Sequence, residues 1–131
     1  MSQPLRYVLL VCVFLFAFAN QTKANPFSDA QTATRKGDYT KAASIYKSLA
    51  EHGSPLGQLL LGMKYYDGQG VPHDLVRAYM WINLAASSAD SEKQKTYIEI
   101  SELVAKQMTE SQITEAWELT IRCTANKLKG C

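Results

Sequence analysis

The sequence predicts an all-α fold of about six helices, paired into hairpins that stack as a solenoid. Three observations carry this. Sustained alternation of apolar and polar residues, the mark of a strand, is missing along the chain. Helix stop and start signals recur at short intervals, with polar connections between them. The chain also matches itself at an offset of about 36 residues, long enough for two helices and two turns. At that offset Lys41-Ala42 falls on Arg77-Ala78, Ile45 on Trp81, Leu49-Ala50 on Ala85-Ala86 and Gly53 on Ala89.

The elements follow in order. Phe27 to Lys36 reads as a polar first helix with Ser28 or Asp29 near its start. Gly37 ends it, and Asp38 caps a second helix, Tyr39 to His52. Gly53-Ser54-Pro55 stops that helix and opens a third, Leu56 to Asp67. A loop over 68–73 leads to Asp74, which caps a fourth helix, Leu75 to Ser88. The fifth opens at Ala89-Asp90-Ser91 and runs to about Gln107, with Tyr97, Ile98, Ile100, Leu103 and Val104 as its apolar face. Thr109 and Gln112 have the spacing of a capping box, and the sixth helix runs from there to about Cys123. Connections this short predict that consecutive helices are antiparallel neighbours.

A unit of two helices cannot bury its apolar face alone, so it stacks on the next. Ala78, Trp81, Ala85 and Ala86 share one helix face, where small residues admit a close neighbour and the large one fills the gap.

The stretch QLLLGMKYYDGQGVPHDLVRAYMWINLAASSA resembles a Sel-one-like repeat, a relative of the tetratricopeptide repeat. The pattern is met by Leu61, Gly62, Tyr65, Gly68, Gly70, Val71, Asp74, Ala78, Trp81, Ala85 and Ala86, while Gln58 and Ala89 depart from its first alanine and last glycine. The resemblance covers one full repeat, about 58–89, with a degenerate repeat before it and closing helices after it. It implies an α-solenoid that binds proteins or acts as an adaptor. Some secreted members, with a cysteine pair inside each repeat, are linked to β-lactam binding or hydrolysis. The pair here lies outside the repeat, which counts against that carry-over.

The N-terminus reads as a targeting segment. Arg6 precedes an apolar run from Val8 to Ala19, too short to cross a bilayer comfortably and suited to a secretory signal peptide. Cleavage is expected after Ala19 or Ala24, the second giving a signal peptide over 1–24 and a repeat domain over 25–131; retention as an anchor is the other outcome. The chain carries a formal charge of +2, and loss of Arg6 and Lys23 leaves the rest close to neutral. Lysines are scattered and expected to pair with acids, so the basic stripe that nucleic acid requires is absent. The expected location is periplasmic or secreted, with no stable membrane insertion after cleavage.

Export places Cys123 and Cys131 in an oxidising compartment, where such a pair tends to form a disulfide. Free thiols, or one thiol pairing with a partner, are the alternatives. No third ligand stands near them to suggest zinc.

No catalytic constellation emerges. His52 and His73 stand near helix ends, a serine nucleophile lacks its Gly-x-Ser-x-Gly context, and Asp67 and Asp74 bracket a loop without alternating oxygen ligands for calcium. YYDGQGVPHD is therefore a turn between helices. No cofactor is expected. Leu59, Met63 and Tyr66 lie at i, i+4 and i+7, off the packing stripe of Gln58, Leu61 and Tyr65, and form a candidate surface for a peptide or partner helix. The competing expectation is that this stripe packs against the first two helices. Tyr79 and Trp117 are expected in the core. The functional expectation is an exported protein–protein interaction module without catalysis; a small exported hydrolase of β-lactams or cell-wall amides, or a secreted effector or inhibitor, is the alternative.

Overall fold

The computed structural model describes residues 23–131, and the expected targeting segment lies outside them except for its last two residues. The described chain forms six α-helices and no strands: α1 (Pro26–Arg35), α2 (Tyr39–Glu51), α3 (Pro55–Asp67), α4 (Leu75–Ser88), α5 (Ser91–Ala105) and α6 (Glu110–Ala125).

Every helix starts on a side-chain cap. The oxygens of Asp38, Ser54, Asp74 and Asp90 each accept from the backbone N–H three residues on, at 2.9–3.1 Å. Thr109 and Gln112 close the expected box, at 3.1 and 2.9 Å. α1 begins earlier than expected. Asn25 caps it by accepting from the Phe27 N–H at 3.1 Å, and Pro26 takes the first turn, where its missing N–H costs nothing.

The loop after α3 turns as its glycines require. Gly68 is left-handed (φ 66°) and lets the Gln69 N–H reach back to the Lys64 carbonyl at 3.1 Å. Gly70 (φ 75°) sits against the Tyr39 carbonyl at the start of α2, where any β-carbon would overlap it.

α3 carries one glycine for each neighbour. A β-carbon on Gly57 would lie 2.6 Å from Leu49 Cβ on α2, and one on Gly62 would lie 2.7 Å from Ile82 Cγ1 on α4. Both crossings are therefore as close as backbones allow. Gln58 lies between them, buried, donating through Nε2 to the Ala50 carbonyl (3.3 Å) and accepting from the Ser88 hydroxyl (3.2 Å). The residue that departs from an alanine pattern thus ties the ends of α2 and α4.

Helices α1 to α5 pack each on the next. α6 differs. It packs on α4 and makes little contact with α5, which corrects the expectation that all consecutive helices are neighbours. The reason lies in α4, whose buried residues occur almost all round: Val76, Ala78, Met80, Trp81, Ile82, Ala85 and Ala86. α3 and α5 cover part of that surface, and α6 covers more of it with Ala116, Leu119 and Cys123. Trp81 is fully buried, and its indole N–H is the one buried side-chain polar group without a partner among the described residues.

Cys123 and Cys131 form a disulfide with Cα atoms 5.5 Å apart. The loop between them turns through Lys127, Leu128 and Gly130, all at positive φ. Both cysteines are buried in the cluster that holds Tyr46, Leu61 and Trp81, with Leu128 packed against it. Arg77 fastens the same end: its Nε donates to the Cys131 main-chain oxygen at 3.2 Å, and its Nη1 pairs with Asp74 at 2.8 Å.

Three expectations about the surface are corrected. Of the lysines among the described residues, Lys93 alone pairs with an acid: the ion pairs there are Arg77–Asp74 and Lys93–Asp90, both three residues apart. An exposed pair gains little over two hydrated charges. Trp117 is not core. It is half exposed and meets Tyr79 edge-on, with centroids 6.0 Å apart. The α5 face buries Tyr97 and Val104 but leaves Ile98 and Leu103 exposed.

Candidate functional site

The side of α3 between α1 and α5 carries open apolar relief at the predicted stripe. Helical spacing places Leu60, Met63 and Lys64 toward α1, and Met63 and Tyr66 toward α5. Two recesses follow, meeting at Met63.

The first recess, about 410 Å³, lies between α1 and α3, with Tyr46 of α2 on its floor. Gln31, Thr34 and Arg35 form the α1 wall, and Leu60, Met63 and Lys64 the α3 wall. Thr34 is occupied, donating its hydroxyl to the Ala30 carbonyl at 2.9 Å. Tyr46 is almost wholly buried, and its hydroxyl has no hydrogen-bond partner among the described residues. Burial alone pushes its pKa above the ordinary tyrosine value, so it stays a neutral donor. Arg35 and Lys64 have no carboxylate within ion-pair distance; Arg35 donates to Thr32 Oγ1 (3.2 Å), and Lys64 to Gln69 Oε1 (3.0 Å) from above the Tyr39 ring.

The second recess, about 250 Å³, lies between α3 and α5 and is lined almost entirely by apolar groups of Met63, Tyr66, Ile100, Leu103 and Val104. Gln107 closes one end, donating to the Tyr66 hydroxyl at 2.7 Å. Leu103 is 59% exposed and Met63 36%, so both side chains are open to a ligand at this groove.

The predicted stripe divides between core and groove. Leu59 packs into the core formed with α4 and α5, beside Ala78, Ile82, Ala85 and Tyr97, and lines neither recess. Tyr66 joins the same core with its ring and offers its edge to the second recess. Met63 is the open member. Leu59 and Tyr66 therefore face α4 and α5, while Met63 stands between α1 and α5. Tyr46, Arg35 and Leu103 were missed as a group. Each is unremarkable in its own helix, and only the pairing of α1 and α5 with α3 assembles them.

The remaining candidates have structural duties. His52 Nδ1 donates to the Ser48 carbonyl at 2.6 Å, and His73 Nδ1 to the Tyr66 carbonyl at 2.7 Å, each closing a helix end. Asp74 caps α4 and holds Arg77. No group of three metal-ligating side chains occurs among the described residues, and none of their helices is long and apolar enough to cross a membrane.

Comparison with protein-family models, with curated proteins and with solved structures returns no match for this chain.

Proposed function

We propose that this chain is an exported helical-repeat module of the Sel-one-like kind that binds another protein or peptide along the α1–α3–α5 side. One observation carries the reading: two recesses meet at Met63 and leave apolar side chains of α3 and α5 open along a single path. Such a path suits a segment that lays successive side chains into successive pockets. The repeat reading is supported by the order of paired helices and by the close α3–α4 crossing at Gly62 and Ala78, both pattern positions. Export is supported by the bond between Cys123 and Cys131, since such bonds persist in oxidising compartments.

The test is photo-crosslinking. A photoreactive phenylalanine analogue replaces Met63 or Leu103 on the groove, or Lys47 on the exposed surface of α2. Irradiation in cells, with the chain expressed at its natural level, is expected to give discrete protein adducts from the first two positions and none from the third. Equal labelling from all three, or none, sinks the reading.

A further inference from the structure

We propose that the recess between α1 and α3 is a carboxylate-binding site. Its ligand is an extended peptide segment that carries an aspartate, a glutamate or a free C-terminal carboxylate beside an apolar side chain. The inference rests on the peptide-binding reading above and names the chemistry of the partner.

Three groups converge on the recess, and each lacks what a carboxylate supplies. The Tyr46 hydroxyl lines it from an almost wholly buried side chain and donates to nothing among the described residues. The hydroxyl itself is open to the recess, and a ligand oxygen offers it an acceptor. Arg35 and Lys64 stand on opposite walls with no anionic partner, and no acid lines the recess. Two like charges lining one recess repel one another and favour an anion between them. Leu60 and Met63 supply apolar wall beside the polar Gln31 and Thr34.

The neighbouring recess fixes the rest of the ligand. It offers no unpaired charge, only the open faces of Met63, Ile100 and Leu103. A segment passing over Met63 thus sets its carboxylate between Arg35 and Lys64 and an apolar side chain against Leu103. A basic segment fits neither place. The source of the carboxylate, side chain or chain terminus, is left to the experiment because both present the same two oxygens.

The experiment selects binders from a random dodecapeptide library with free C-termini on the immobilised protein. The strongest binder is then measured as synthesised, with its acidic side chains changed to amides, and with its C-terminus amidated. We expect selected peptides rich in Asp, Glu or a free terminal carboxylate near Leu, Met or Phe. One of the two neutralised forms should bind at least about tenfold more weakly, which identifies the source. Arg35→Gln with Lys64→Gln should weaken the parent peptide about tenfold at 0.1 M salt and less at 0.5 M, where charges are screened within about 4–5 Å. Tyr46→Phe keeps the ring and should weaken it about threefold. Lys47→Gln with Lys95→Gln, equal in charge change, should leave it within about twofold. Binders without carboxylates, or unaffected by the Arg35 and Lys64 changes, overturn this inference and leave peptide binding standing. Recovery of no binder overturns both.

Discussion

Gly70 lies so close to the Tyr39 carbonyl that the loop after α3 and the start of α2 touch backbone to backbone. Gly70→Ala has to move one of two main chains and also accept φ 75°. It is expected to lose about 2–4 kcal/mol in urea unfolding. Gly37→Ala, at a similar φ but in open space, isolates the conformational part and should lose about 1 kcal/mol. Equal losses would show that the contact with Tyr39 contributes nothing.

Gln58 predicts a measurable coupling between α2 and α4. Gln58→Ala leaves the buried Ala50 carbonyl and the Ser88 hydroxyl with one partner fewer and opens a void, for a loss of about 2 kcal/mol. Ser88→Ala should lose under about 1 kcal/mol, because the single hydroxyl proton is shared between Gln58 Oε1 and the Leu84 carbonyl. A double-mutant cycle is expected to return an interaction of about 0.5 kcal/mol or more. Strict additivity would remove the bridge from the account.

The disulfide closes a short loop, so its effect through the unfolded chain is about 2 kcal/mol. Replacing Cys123 and Cys131 by Ser should lower the midpoint of thermal unfolding by several degrees and let a protease clip near Lys127 and Lys129. An unchanged midpoint would mean that packing of Leu128 and the Arg77 contact hold the end unaided.

Alkaline pH should weaken the fold through two tyrosines. Burial raises the pKa of Tyr46 and Tyr65 in the folded chain above 10.0. Between the unfolded and folded values the folded chain binds more protons, so stability is full below about pH 10 and falls as pH rises beyond it. Urea midpoints at pH 9 and pH 11 should differ less in Tyr46→Phe and Tyr65→Phe than in the parent chain. Identical slopes in all three would refute this.

The parts of the fold legible in the sequence are those written in local chemistry. Asp38, Asp74 and the Thr109–Gln112 box announce helix starts because a short polar side chain satisfies N–H groups two or three residues away. The same logic applies to Asn25-Pro26, whereas Ser28 and Asp29, the expected start, lie inside the helix. Periodicity gives a helix its apolar face but not the neighbour that covers it. Hence Leu59 turns out to pack on α4 and α5, while Leu103 and Trp117 stay open. Gly57 left a readable trace, a residue without a side chain two places past the helix-opening Pro55, yet its partner Leu49 is set only by the crossing. The groove was half legible. Met63 was placed on an open stripe; the Tyr46 hydroxyl and its two flanking cations come from three helices that no sequence interval joins.

The position of α6 bears on how the molecule comes apart. In an array where each helix meets only its sequence neighbours, the last pair can fray while the rest persists. Here α4 is held by α3, α5 and α6 together, and Arg77 at its start also grips the main chain at Cys131. Loosening the end therefore uncovers the middle. Amide hydrogens of α4 and α6 should exchange with one common opening free energy, as a single cooperative block, with α1 exchanging ahead of it.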